Sequence, residues 1–211
     1  MMNSILYRVR LVGLFLLAVG GSYGTSQAQE DYRMFEAKTP QLDSAYAKGV
    51  SGHIAGELRP GLLVMAGGCN FPDRPARKGG AKRYYSEIYI GEYLGAVHHA
   101  CETKASEVDI WWWLIGHLPQ PTAYAAFQQY DDQLIVAGGQ SAEGDLRDAY
   151  IIQLGNRHGM TITPLPSLPE PRSGMASALI ENVLYLIGGR VNGKLSNTVL
   201  SLDLSRPQKE W

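Results

Sequence analysis

Residues 134–139 have the sequence Leu-Ile-Val-Ala-Gly-Gly, and residues 184–189 have the sequence Leu-Tyr-Leu-Ile-Gly-Gly, so an apolar run ending in two glycines recurs after 50 positions. The Leu-Pro-x-Pro segments at 118–121 and 168–171 are also 50 positions apart. Two independent features with one period indicate an internal repeat. An earlier copy at 62–68 precedes the second copy by 71 positions, which predicts 21 inserted residues in the first repeat.

The residues around each Gly-Gly pair follow a pattern of short strands. A further apolar segment is centred eleven residues after the second glycine, at Tyr150 and at Leu200, and Trp211 stands twenty-two residues after Gly189. Repeats of about 50 residues that form four-stranded sheets are typical of kelch proteins. Each sheet of a propeller buries both faces against its neighbours, which explains the near-continuous apolar runs. The sequence therefore predicts an all-β fold, a kelch-type β-propeller.

The length of the chain limits the number of blades. A propeller has about four to eight blades, whereas residues 29–211 hold only about three to four repeats of this size. We therefore expect an incomplete propeller over 29–211, with an open edge on its last blade that favours self-association. The chain has 24 Gly, 11 Pro and a net charge of −1, a composition typical of a turn-rich globular protein, and nothing in it indicates a nucleic-acid partner.

The first 28 residues have the pattern of a secretory signal peptide. Arg8 and Arg10 precede an apolar run at 11–19, and Ser26-Gln27-Ala28 provides small residues for cleavage. A run of nine residues is far shorter than the ~20 that a transmembrane helix needs, and no second candidate follows. We therefore predict a mature chain without a membrane span that is periplasmic or secreted.

The two cysteines and the adjacent histidines give weaker signals. Cys69 and Cys101 are the only cysteines, and their spacing leaves open whether they pair. His98, His99 and Cys101 lie close together in the sequence, but no second pair of ligands stands at zinc spacing. We interpret this cluster as a loop and predict no metal site.

The sequence Gly-Gly-Cys-Asn-Phe-Pro-Asp at 67–73 is more specific than the kelch pattern. Together with the segments at 49–56, 78–80 and 85–89, it resembles the cyclically permuted mutarotases, a family of sialic acid mutarotases or N-acetylneuraminate epimerases. The resemblance extends over residues 49–204. It implies a six-bladed propeller of which the first half is present, and it implies interconversion of the α and β anomers of N-acetylneuraminate, a small sugar acid, without a cofactor.

The resemblance also implies a catalytic pair, a glutamate after a glycine of one repeat and an arginine six residues later. The residues that follow the three Gly-Gly pairs are Cys69, Gln140 and Arg190, so the glutamate is absent from these positions. The acid and base that the reaction requires are therefore expected outside this chain. We assign no catalytic residue.

Substrate contacts are predicted in loops that follow inner strands. The loop at 70–83 carries an excess of cations, including Arg77, Lys78, Lys82 and Arg83, which suits an anionic sugar; the alternative is a solvated basic loop. Arginines in the later repeats are further candidates, although Arg172 also fits a structural role that bonds backbone carbonyls. The candidate substrate-binding residues are Asn70, Phe71, Asp73, Arg74, Arg172 and Arg190.

Two functions remain open at this point. The first is a carbohydrate isomerase of the sialic acid mutarotase type in truncated form. The second is a non-catalytic kelch module that binds a glycan or a protein, or an inactive fragment, because a fold does not dictate an activity.

Overall fold

The computed structural model of the chain describes residues 35–93, 95, 107–155, 159–206 and 210–211. The predicted signal peptide, Cys101 and the adjacent histidines lie outside these residues.

Three antiparallel sheets form the body of the described chain, each with its strands in chain order from one edge to the other. The first sheet contains β2 (Ile54–Arg59), β3 (Leu62–Ala66), β6 (Glu87–Glu92) and β8 (Trp111–His117). The second contains β9 (Ala126–Tyr130), β10 (Gln133–Ala137), β11 (Ala149–Leu154) and β12 (Met160–Pro164). The third contains β14 (Ala176–Ile180), β15 (Val183–Ile187) and β18 (Val199–Asp203). The prediction of an all-β, incomplete kelch-type propeller is confirmed, with two four-stranded blades and one three-stranded blade.

Short elements lie in the connections. The two-stranded pairs are β1 (Glu36–Ala37) with β7 (Glu107–Val108), which is parallel, and β4 (Cys69–Asn70) with β5 (Arg83–Tyr84). A small three-stranded sheet is formed by β13 (Arg172–Ser173), β16 (Arg190–Val191) and β17 (Lys194–Leu195). The 3₁₀ helices are η1 (Tyr46–Lys48) and η2 (Ala76–Lys78).

Two apolar cores join the sheets. Val64 of the first sheet packs with Leu134 and Val136 of β10, while Ile135 of β10 packs with Leu184 on the opposite side. Strand β10 is therefore buried on both faces, as its uninterrupted apolar run predicts. Full burial of a Val, Leu or Ile side chain contributes about 1.5–3 kcal/mol, so these contacts are the main source of cohesion between blades.

The face of the first sheet that is turned away from the second sheet is covered by the segment that precedes the first sheet. The ring of Tyr46, on η1, lies 4.9 Å from the Tyr85 ring and 5.1 Å from the Tyr89 ring, measured between centroids. Its hydroxyl donates to Gly67 O at 3.1 Å, and Trp112 Nε1 donates to Lys38 O at 3.0 Å. These contacts bury an aromatic cluster that no repeat pattern predicts.

The outer face of the third sheet is exposed at positions that the first two sheets bury. Ile187 pairs with Val199 in the same register as Ala137 with Ala149 in the second sheet. Ile187 and Val199 are 45% and 56% exposed, whereas Ala137 and Ala149 are 1% and 4% exposed. In the second sheet these positions are covered by the third sheet. The equivalent face of the third sheet is therefore suited to pack against another sheet of the same kind. Self-association through it stays a prediction.

The insertion in the first repeat is divided between two loops. The second and third strands are joined by residues 67–86 in the first sheet and by 138–148 in the second. The third and fourth strands are joined by residues 93–110 in the first sheet and by 155–159 in the second. The sequence spacing gives the approximate total excess, but its division between the two loops depends on where the strands pair.

Candidate functional site

All six predicted substrate-binding residues lie at one end of the sheets. Because successive strands alternate in direction, the loop after each second strand emerges at the same end as the segment that leads into the next blade. Residues 67–86 and 188–198 are the loops after the second strands of the first and third sheets, and residues 165–175 are the segment that leads into the third sheet. We call this the loop end. The fold thus places residues from the first and third repeats on one side of the molecule.

The Gly-Gly pairs connect neighbouring blades at the loop end. Gly68 N donates to Thr122 O at 2.7 Å, and Gly139 N donates to Arg172 O at 2.8 Å, so the second glycines of the first two pairs bond the segment entering the next blade. Gly138 has φ +61°, and a Cβ placed on it would lie 2.3 Å from Arg172 O. Only glycine fits where the backbones approach so closely.

The turns that enter the three inner strands are bonded to one another. Gly174 N donates to Tyr124 O at 2.9 Å, and Tyr124 N donates to Gly52 O at 2.7 Å. These three residues occupy equivalent positions, two residues before β14, β9 and β2. All three have left-handed backbones, with φ of +63°, +55° and +64° in that order. Tyr124 is the non-glycine residue of this set.

Asn70 acts within the protein framework. Its Nδ2 donates to Ala45 O at 2.6 Å and to Gly49 O at 2.9 Å, and its Oδ1 accepts from the Tyr85 hydroxyl at 2.8 Å. The side chain therefore fixes the segment that covers the first sheet. It orders the base of the loop at 71–82, which joins β4 to β5.

The loop at 71–82 carries three of the other candidates, Phe71, Asp73 and Arg74, and all three are exposed. Arg83, which follows the loop, is held by an ion pair with Asp43 at 2.8 Å. The pKa of the Asp43 carboxyl is lowered: burial, the largest influence, raises it, but hydrogen bonds from the Tyr46 and Ala45 amides and the Arg83 charge outweigh burial. The charge of Arg83 is therefore compensated within the protein by the Asp43 carboxylate.

The two candidate arginines of the later repeats have different environments. Arg172 is 3% exposed, and its guanidinium donates to Gly188 O at 3.0 Å, to Thr198 O at 3.4 Å and to Thr198 Oγ1 at 2.7 Å. These bonds match the structural alternative for Arg172. Arg190 is exposed and donates to Gly193 O at 3.0 Å. The structure places both at the loop end, but their side chains have separate partners.

Lys82 forms a cluster with two tyrosines that the cationic character of its loop does not predict. Its Nζ lies 4.8 Å from the centroid of the Tyr84 ring and 4.8 Å from that of the Tyr124 ring. The pKa of Lys82 is raised: burial, the largest influence, acts to lower it, but the Tyr84 hydroxyl with the Cys69 and Tyr124 side chains outweighs burial. Aligning the repeats gives one signal for this cluster, since a tyrosine stands at 124 where the other repeats have glycine.

Among the described residues there is neither a cluster of metal-binding side chains nor a membrane-spanning helix. Within 35–93, 107–155 and the later described segments, no three His, Cys, Asp or Glu side chains are grouped so that they would hold a metal ion. In the same part of the chain no helix has the length and apolar character to cross a bilayer.

Comparison with known proteins supports the repeat pattern and the resemblance. A family model described as "Kelch motif" matches residues 171–211. An N-acetylneuraminate epimerase of Salmonella arizonae is 26% identical over 105 residues, which cover 50% of this chain and 25% of that protein. An N-acetylneuraminate epimerase of Yersinia enterocolitica is 30% identical over 100 residues, which cover 47% of this chain and 24% of that protein.

Among solved structures, one described as "Structure of YjhT" has a TM-score of 0.49 and 16% identity, covering 72% of this chain and 42% of that one. The family match at 171–211 confirms the predicted kelch repeat. The predicted resemblance to N-acetylneuraminate epimerases is confirmed as a partial similarity, since the match spans a quarter of the length of these curated relatives.

Proposed function

We propose that this chain, which has a kelch motif and is similar over half of its length to N-acetylneuraminate epimerases, contributes the binding surface for a sugar acid of the N-acetylneuraminate type. The observation that carries the proposal is the similarity to these epimerases over 100–105 residues. The finer proposal is a sialic acid mutarotase type of isomerase. The loop end supports the binding part because it presents cations to solvent.

Within this proposal the candidate residues divide into two groups. Phe71, Asp73, Arg74 and Arg190 are exposed at the loop end, and we assign them contacts with the ligand. Asn70 and Arg172 donate hydrogen bonds to backbone carbonyls, and Arg172 also donates to the Thr198 hydroxyl, so we assign them the positioning of the loops.

The isomerase reaction needs an acid and a base at the anomeric centre. Ring opening removes the proton of the anomeric hydroxyl and protonates the ring oxygen, and ring closure reverses both transfers. The residues after the three Gly-Gly pairs are Cys69, Gln140 and Arg190, none of which is a carboxylate. This observation favours the second candidate, a kelch module that binds the sugar acid without catalysing its anomerisation.

Titration of the full chain with N-acetylneuraminate, monitored by saturation-transfer NMR, tests the proposal. We expect transfer to the sugar acid and little transfer to N-acetylmannosamine, a neutral control sugar, because the loop end attracts an anion. No transfer to N-acetylneuraminate contradicts the proposed function. The rate of anomerisation in the same samples separates the two candidates: acceleration over buffer supports an isomerase, and an unchanged rate supports a binding module.

We also propose that the protein is exported, on the basis of the signal-peptide pattern at 1–28. In a bacterium that expresses the full chain, the periplasmic or secreted product is expected to begin at Gln29. Mass spectrometry of its N-terminal peptide checks this, and an intact Met1 in a protein retained in the cytoplasm contradicts it.

A further inference from the structure

We propose that Lys82, held between the rings of Tyr84 and Tyr124, is an anion-binding residue that takes the carboxylate of the ligand. The identity of the ligand as a sugar acid rests on the proposed function, whereas the anion subsite rests on the geometry of this cluster.

The charge of Lys82 lacks a counter-ion in the described part of the chain. The ion pair found among those residues joins Arg83 to Asp43 and leaves Lys82 out. The groups that surround Lys82 are phenol and thiol side chains from Tyr84, Tyr124 and Cys69. A partly buried ammonium attracts an anion more strongly than one in bulk water does, because the effective dielectric constant around it is lower.

The two rings are fixed before any ligand binds. The Tyr84 hydroxyl donates to Gln140 Oε1 at 3.0 Å, and the Tyr124 hydroxyl shares a hydrogen bond of 3.2 Å with Ser51 Oγ. The Cys69 thiol also donates to the Tyr124 hydroxyl at 3.5 Å. The rings are thus anchored to both the first and the second repeat, and their faces confine the ammonium. Such preorganisation reduces the entropy that binding costs.

Tyr124 has an unfavourable backbone conformation. The left-handed region is unfavourable for a bulky side chain, and the equivalent residues Gly52 and Gly174 adopt it without strain. Gly52 makes room for the ring, since a Cβ on it would lie 2.5 Å from Tyr124 Cδ1. If the turn served packing alone, glycine would suffice here as in the other two repeats. Strain of this kind accumulates where a side chain must be held for function.

The cluster occupies the boundary between the first two blades. Cys69 and Gln140, which contact its tyrosines, are the residues directly after the first two Gly-Gly pairs. Lys82 therefore lies at the loop end, as the last residue of the exposed loop at 71–82, which also carries three of the four residues to which we assign the other ligand contacts.

Lys82→Met in the full chain removes the charge and keeps most of the aliphatic length. We expect N-acetylneuraminate to bind at least about tenfold more weakly, the scale of one charge-assisted hydrogen bond. The matched control is Lys194→Met, which removes an exposed charge from the loop end of the third repeat and is expected to change the dissociation constant less than about twofold. The methyl ester of N-acetylneuraminate should bind the unmodified chain as weakly as the acid binds Lys82→Met. Equal affinity of Lys82→Met and Lys194→Met for N-acetylneuraminate overturns the subsite.

Tyr124→Asn tests the positioning of Lys82 by a separate measurement. Asparagine tolerates the left-handed backbone but has no ring, so we expect weaker binding of N-acetylneuraminate with a melting temperature at or above that of the unmodified chain. If Tyr124 positions Lys82 for the carboxylate, the methyl ester should bind Tyr124→Asn as strongly as it binds the unmodified chain. Unchanged affinity for the acid, or an equal loss for acid and ester, contradicts the proposal.

Acetate separates the subsite from the proposed function because it presents a carboxylate without a sugar. We expect acetate to shift the ring-proton NMR signals of Tyr84 and Tyr124 in the unmodified chain and to leave them unshifted in Lys82→Met. Shifts with acetate but no binding of N-acetylneuraminate retain the subsite and contradict the proposed function. No ring shifts with either ligand overturn the subsite itself.

Discussion

Gly138→Ala is expected to lower the free energy of unfolding by about 3 kcal/mol, the sum of a left-handed backbone imposed on alanine and a displaced neighbouring backbone. The added Cβ would lie 2.3 Å from Arg172 O, an oxygen of the segment that enters the next blade. That carbonyl cannot move freely because it accepts the hydrogen bond of Gly139 N. The substitution therefore separates the second and third blades where they are joined.

Two further alanine substitutions isolate the cause of this effect. Gly174 has φ +63° and open space around its Cβ position, so Gly174→Ala includes the backbone cost alone and is expected to lose about 1–2 kcal/mol. Gly188, the same position of the third repeat, has its nearest atom at 3.3 Å, which predicts a loss close to that of Gly174→Ala. Urea unfolding of the three variants provides the comparison. Equal losses at 138 and 174 would show that the close approach to Arg172 is unimportant.

Arg172→Met is expected to lower the free energy of unfolding by about 3 kcal/mol, because the buried carbonyls it bonds lose a charged donor. The guanidinium bonds Gly188 O and both Thr198 oxygens, and it is 3% exposed. The loop of the third repeat is therefore held by this side chain. Arg172→Lys should recover little of the loss, since one ammonium cannot reproduce the geometry of the guanidinium.

Arg190→Met is the matched control for Arg172→Met, because Arg190 is exposed and its bond to Gly193 O spans three residues. Its expected effect on stability is within about 0.5 kcal/mol. Affinity for N-acetylneuraminate adds a second measurement. We expect Arg190→Met to weaken binding without a loss of stability, and folded Arg172→Met to weaken it to a smaller extent, through the loosened loop that carries Arg190. Normal stability with lost binding in Arg172→Met would make Arg172 a ligand contact.

The Gly-Gly period predicted the repeats because strands and turns are encoded locally. An apolar run needs only the next few residues to define a buried strand, and two glycines with positive φ end it at a fixed place. Strands β10 and β15 end directly before Gly138 and Gly188, as the repeat predicts. The cations of the loop at 70–83 were likewise visible in the sequence, whereas bonding to backbone carbonyls was only one of two roles that the sequence left open for Arg172.

The sequence by itself thus determined the blade pattern, the size of the first insertion and the cationic character of one loop. The tertiary structure alone decided that Tyr46 covers the first sheet, that Arg83 is neutralised by Asp43 and that Lys82 lies between Tyr84 and Tyr124. The physical reason is range: a strand forms from neighbours in the chain, whereas contacts between loops depend on how two sheets are registered against each other. In this protein, the packing of the first sheet against the second brings Lys82 of a basic loop between two tyrosine rings, and this contact makes the loop a candidate anion site.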